Sequence, residues 1–191
     1  MMPTELADLS AIVLAGGSGR RMGGVDKALL DVGGATSLSR VLRAVEHLTA
    51  VVVGPHRDDL PHRVRWVQES PPGGGPVAAI SAALSMVKTG SVAILATDLP
   101  FVTTETVLAL QSAMRGWQGA VLVDEQDRRQ WLCAVYDVSA LRLRLRSLDR
   151  VVGSSMRALV GGLQLAEVED RSGWGFDIDT VQELVEARRL A

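Results

Sequence analysis

The chain lacks most of what builds a stapled or metal-clustered fold. It has one cysteine, Cys133, so no internal disulfide framework is possible, and a reducing compartment, the cytoplasm, is the expected setting. Its three histidines are scattered and have no cysteine neighbours, so no zinc-type ligand spacing exists. Neither charge sign dominates. The formal net charge is -2 and the signs are interspersed, which leaves no basic stripe for nucleic acid. No run approaches the ~18 apolar residues of a membrane-spanning helix. The opening MMPTELADLS carries acids rather than a basic stretch before an apolar one, so it does not read as a signal peptide. These absences predict a soluble protein with neither nucleic acid nor membrane as partner.

What is present is apolar and periodic. With 191 residues, 47% of them hydrophobic, the chain can bury one sizeable core, and residues 1–191 are expected to form a single domain. Short apolar runs recur: AIVLA, AVVVG at Ala50–Gly54, RVRWV at Arg63–Val67, SVAILA at Ser91–Ala96 and GAVLV at Gly119–Val123. Helix-like stretches separate them over Ser37–Leu48, Pro76–Val87 and Thr103–Met114. Apolar strands alternating with helices predict a parallel sheet covered on both faces, an α/β three-layer sandwich. Further on, WLCAVYDVSALRLRLRSL predicts a strand entering a helix. GFDIDTVQELVEARRL predicts a short strand with Asp179 or Thr180 capping a last helix. In such folds ligands sit at the carboxyl ends of the strands, so the loops after Ala15, Gly54, Val67 and Ala96 are where a site is expected.

The first of these loops is the most distinctive. In AGGSGRRMGGVDK, glycines let main-chain N–H groups approach phosphate oxygens, and Arg20, Arg21 and Lys27 add positive charge directly after a buried strand. This points to phosphate binding. The P-loop pattern fails because Lys27 follows Asp26 rather than glycine. The dinucleotide fingerprint fails at Met22, and a nucleophile elbow around Ser18 fails at Arg20. The second distinctive loop is TDLPFV. Asp98 stands where a buried strand ends, Pro100 stops the sheet, and Thr103 is the better N-cap for the next helix. A carboxylate at that edge needs a cation to offset its desolvation. Mg²⁺ suits the position, because it is usually held by one or two carboxylates with phosphates and water completing its shell. Asp98 is the first candidate ligand. Asp177 and Asp179, two residues apart in FDIDT, are candidates for the second, and Asp177 is preferred because Asp179 has a capping role open to it.

With these pieces in place, the chain resembles the molybdenum cofactor guanylyltransferases, the MobA-like nucleotidyltransferases, from about Ala11 to Arg188. LAGGSGRRMGGVDKALL matches that family's Leu-Ala-Gly-Gly, Arg-Met-Gly and Asp-Lys elements in order and spacing. GGGPVAAI, TDLPFV and DIDTVQEL match three further segments. The resemblance implies a Rossmann-like, nucleotide-diphospho-sugar transferase-like sandwich that binds GTP and Mg²⁺ and joins GMP to molybdopterin phosphate. It implies that the main chain of Leu14, Ala15 and Gly16 lines the nucleotide, that Lys27 holds its phosphates and that Asp98 binds the metal. Gly17, Glu69 and Asp98 are further candidate nucleotide contacts, and Asp177 remains the candidate second metal ligand from its place in FDIDT. Arg21, Lys27 and Asp98 would carry the catalysis.

The chain departs from the family pattern at several positions. Gly54 stands where some relatives have Asn, Glu69 where they have Asp, Ala79 where they have Gly, and Asp177 and Asp179 where they have Asn. The acidic pair keeps a cytidylyltransferase for the same cofactor open. A non-catalytic nucleotide-binding adaptor, docking on a molybdoenzyme chaperone or another cofactor-assembly protein, is the alternative from a different class. Of the four tryptophans, Trp131 is the one placed to approach a pterin, the rest being expected in core or rim packing. The segment LRLRLRSLDR is left as solvated surface or a partner contact.

Overall fold

The computed structural model describes residues 8–17, 22–57 and 64–191. Its centre is a seven-stranded sheet of order β5-β4-β1-β6-β8-β7-β9. The strands are β1 (Leu9–Leu14), β4 (Thr49–Val53), β5 (Val64–Val67), β6 (Ser91–Ala96), β7 (Gly119–Val123), β8 (Arg129–Asp137) and β9 (Leu165–Glu169). All run parallel except β8, which pairs antiparallel with both β6 and β7. A two-stranded hairpin, β2 (Asp31–Val32) with β3 (Ala35–Thr36), lies apart from the sheet.

β1 shows why the sheet needs a layer on each side. All six of its residues are buried. Ala11 and Val13 face the cluster built on α1 (Ser37–Ala44) and α3 (Thr104–Ala113), while Ile12 and Leu14 face the opposite cluster. That second layer comprises α2 (Pro76–Leu84), α4 (Val138–Arg146) and α5 (Met156–Val160). The period of two along a strand sorts its side chains between the layers. α6 (Val181–Leu190) forms a third, smaller cluster in which Leu184 and Ala187 pack with Leu30, Val32 and Ile178. The fold is thus the expected α/β three-layer sandwich with a mostly parallel sheet.

One local reading is revised and two are narrowed. The expected strand in GFDID does not form, and residues 176–179 run as irregular chain. Thr180, not Asp179, caps α6: its hydroxyl accepts from Glu183 N, and Glu183 returns the bond to the Thr180 amide. The Arg-Leu alternation at 142–146 is a helix that exposes Arg142, Leu143 and Arg146, in line with a solvated surface, while two of its arginines also reach neighbouring main-chain carbonyls. Arg142 donates to the carbonyls of Leu84 (3.1 Å) and Val87 (3.0 Å), and Arg144 to those of Leu159 and Ala158, both at 3.0 Å. The Leu84 carbonyl also accepts the Val87 amide at 3.3 Å, and the carbonyls of Ala158 and Leu159 lie in the last turn of α5, where helix carbonyls are left over for a guanidinium group.

The path of the chain creates one switch point. From β1 it passes to β4 and β5 on one side, then returns to β6 on the other. Loops leaving β1 and β6 therefore diverge, and a crevice opens at their carboxyl ends. Because β8 is antiparallel, its first residues reach that same end of the sheet. A register shift between Val121 and Leu122 of β7 adds local twist where Arg129 and Gln130 pair.

Candidate active site

The floor of the crevice is the end of β1. The Leu14 carbonyl accepts the Thr97 amide (3.1 Å) and hydroxyl (3.2 Å), and the Ala15 amide donates to the Val53 carbonyl (2.8 Å). These polar groups are spent on the sheet, while Gly16 and Gly17, which follow directly, are exposed. Gly54, after β4, has φ of 148°, and a Cβ there would lie 2.9 Å from the Ala15 carbonyl carbon and 3.0 Å from the Gly16 nitrogen. Glycine is what lets β4 come this close, and no side chain reads a ligand from this position. Arg21 lies outside the described residues.

Lys27 enters from a short 3₁₀ turn, Lys27–Leu29, for which Asp26 is the N-cap: Asp26 Oδ1 accepts the Ala28 amide at 3.0 Å. Ala28 is buried in the core, and the turn is anchored by it. From there Lys27 Nζ donates to Asp98 Oδ2 at 3.2 Å and to Asp179 Oδ1. Burial lowers the tendency of the ammonium to stay charged, but the hydrogen bond to Asp179 and the charge of Asp98 outweigh it, so Lys27 holds its proton above the ordinary range.

The two acidic loops are locked together. The Ile178 amide donates to the Asp98 carbonyl at 2.9 Å, and Ile178 is fully buried. Glu183 Oε2 accepts the amides of Asp179 (2.8 Å) and Thr180 (2.7 Å). Asp177 and Asp179 end up lining one cavity with Asp98, although no strand places them there. The cavity measures about 300 Å³, and its far wall is Arg129, Gln130, Trp131 and Met156. Asp177 is pushed above the ordinary carboxylate range, first by burial and then by the charges of Asp179 and Asp98. A carboxylate so placed gains from a cation nearby. Among the described residues no group of three or more His, Cys, Asp or Glu is arranged to hold a metal on its own. The donor set is all oxygen and suits a cation whose remaining ligands come from phosphate and water.

The structure thus brings Lys27, Asp98, Asp177 and Asp179 together, with Leu14–Gly17 at the adjoining strand end. Glu69 is not among the residues lining the cavity; its carboxylate accepts the Gly73 amide at 2.9 Å and closes the turn after β5. Trp131 does line the cavity, with Arg129 stacked 5.5 Å from its ring centroid, while Trp66 and Trp174 pack on the core and Trp117 is half exposed. Sequence reasoning passed over Arg57, whose side chain is 10% exposed and pairs with Asp26 at 2.5 Å. The available signal was a basic residue in the loop after β4, one of the loops in which a site was expected.

The architecture is that of α/β nucleotidyltransferases of the nucleotide-diphospho-sugar transferase fold. A crystal structure of molybdopterin-guanine dinucleotide biosynthesis protein A from Archaeoglobus fulgidus superposes with a TM-score of 0.73 at 24% identity, covering 95% of this chain and 97% of that one. A 2-C-methyl-D-erythritol 4-phosphate cytidylyltransferase from Thermus thermophilus superposes with a TM-score of 0.72 at 20% identity, covering 94% and 96%. At these identities the likeness establishes the fold. The chain belongs to the MobA-like NTP transferase domain family, whose model matches residues 11–167. A relative from Pseudomonas putida, named molybdenum cofactor guanylyltransferase, is 31% identical over 182 residues, covering 89% of this chain and 94% of the relative.

Proposed function

We propose that this chain is a molybdenum cofactor guanylyltransferase, transferring GMP from GTP to molybdopterin phosphate with release of pyrophosphate. The observation that carries this reading is the meeting of Lys27, Asp98 and Asp179 at the switch point beside the Gly16–Gly17 turn, in a member of this family. An oxygen of the molybdopterin phosphate bonds to the α-phosphorus of GTP as the bond from that phosphorus to the bridging oxygen breaks. Pyrophosphate leaves with the electron pair. The attacking phosphate is already ionised at neutral pH, so the protein needs to position and neutralise rather than to remove a proton. Lys27 has three ammonium hydrogens and gives two to Asp98 and Asp179. The third serves a phosphate oxygen of the leaving group, while the Gly16 and Gly17 amides orient the phosphate chain. Asp98 and Asp177 would hold Mg²⁺, which supplies further charge neutralisation on the phosphates.

Two measurements test this. GTP, CTP and ATP are titrated onto the purified chain with and without Mg²⁺, and pyrophosphate release is then followed with molybdopterin present. GTP should bind best and release should follow; preference for CTP would reassign the nucleotide, and binding without release would make the chain an adaptor. Lys27→Ala and Asp98→Ala should keep the wild-type circular dichroism and lose about 2.7–4 kcal/mol of transition-state stabilisation, roughly 100- to 1,000-fold in turnover, by analogy with loss of an oxyanion-hole donor. Wild-type turnover by Asp98→Ala at ordinary Mg²⁺ would remove the metal assignment.

A further inference from the structure

Asp26 is bonded on both of its oxygens, and the two bonds go to different parts of the fold. Oδ1 caps the turn that carries Lys27. Oδ2 accepts from Arg57 Nη2, which comes from the loop after β4, 31 residues along the chain. That loop is itself anchored. His56 lies against Trp66 with ring centroids 5.8 Å apart, and Gly54 abuts the Ala15–Gly16 main chain. The Arg57 side chain is 10% exposed against 38% for Asp26, so the pair is not a solvated surface contact of the kind that contributes little. Arg57 Nε–H has no acceptor among the described residues, so Arg57 is held here without its own bonding capacity being filled.

The arrangement matters because Asp26 is the residue next to Lys27. A loose Asp26 carboxylate would compete with Asp98 and Asp179 for the same ammonium, and would also release the cap on the Ala28 amide. Arg57 prevents both by giving Asp26 a different cation. We propose that Arg57 is a positioning residue for Lys27: acting through Asp26 rather than on substrate, it fixes the turn from which Lys27 reaches Asp98 and Asp179. Its relevance to catalysis rests on the reading of Lys27 as a phosphate-binding group. The effect on Lys27 itself does not depend on that reading.

The test uses the full chain, which contains two lysines, Lys27 and the exposed Lys88. Selective ¹⁵N-lysine labelling gives two side-chain ammonium signals, assigned with Lys88→Arg and compared at one fixed pH by their hydrogen exchange with water. In the wild type the Lys27 ammonium hydrogens should exchange with water more slowly than those of the exposed Lys88, in keeping with its two carboxylate contacts. In Arg57→Ala the Lys27 ammonium should lose most of its exchange protection as its bonds to Asp98 and Asp179 loosen, Arg57→Lys should restore most of it, and turnover should fall by up to about 100-fold in kcat with a smaller change in KM, as expected of misplacement. Asp26→Asn keeps a capping side chain and removes the charge that Arg57 holds, so it should move Lys27 in the same direction by less, and it serves if Arg57→Ala does not fold. An unchanged Lys27 signal in folded Arg57→Ala or Asp26→Asn overturns the proposal. Wild-type nucleotide binding is measured on the same samples. If it is absent while Lys27 still responds to Arg57, the positioning role stands and the functional reading falls.

Discussion

Asp177 is the residue of the site whose ionisation the fold opposes most openly. Burial and the charges of Asp179, Asp98 and Glu183 all favour its protonated form, against a hydrogen bond with its own backbone that favours the charged one. A carboxyl held above its ordinary value of 3.8 takes up a proton more readily in the folded chain than in the unfolded one. Stability is therefore lost as pH rises from that value through the folded one. Asp177→Asn removes this slope. In urea denaturation with a chelator present, the variant should gain on the wild type as pH rises through that window and stay ahead at pH 7; a gap independent of pH would show that Asp177 is not electrostatically opposed. The basic and acidic residues here were only partly legible. Lys27 and Asp98 stand out because each follows an apolar strand in a loop of turn residues. Asp26 and Arg57 do not, because a carboxylate shared between a cap and a distant guanidinium leaves no local pattern.

At the scale of elements, the start of α6 joins stability to the site. Glu183 accepts the amides of Asp179 and Thr180 and the Thr180 hydroxyl (2.9 Å), so one side chain both closes the capping box and holds the segment carrying Asp177 and Asp179. Glu183→Ala should lower the unfolding free energy by about 0.5–2 kcal/mol, as other cap losses do, and Glu183→Gln by less. Urea denaturation measures it; an unchanged midpoint in Glu183→Ala would mean that the helix start is held by other contacts. Elements with one dominant period were readable. β1, β6 and β7 are short, apolar and buried along nearly their whole length, and α3 is capped by the expected Thr103. β9, with the sequence LAEVE, buries only Leu165, alternates half-buried with exposed positions after it at the sheet edge and carries two glutamates, so its apolar signal is weak. The two-residue strands of the β2–β3 hairpin are too short to show a period.

Across the whole molecule, groups from both halves of the chain must fold before the site exists. Lys27 is 71 residues from Asp98 and 152 from Asp179. A ligand that binds this convergence and not the unfolded chain stabilises the fold by mass action, by about 2.7 kcal/mol at 100 times its Kd. GTP with Mg²⁺ should therefore raise the thermal midpoint of the wild type, and should raise that of Lys27→Ala much less. Equal shifts in the two would place the nucleotide away from Lys27.

Alternation of apolar runs with amphipathic stretches was enough, by itself, to determine a covered, mostly parallel sheet, and glycine and charge at the strand ends marked where a ligand would enter. Those properties are local, since burial on two faces and freedom at positive φ are written in the residues themselves. The order of the strands, the reversal of β8 that brings Trp131 to the crevice, and the pairing of Lys27 with Asp179 and of Arg57 with Asp26 were decided only by tertiary structure. Each depends on which distant surfaces bury one another, and a charged side chain takes its partner from the space that burial leaves.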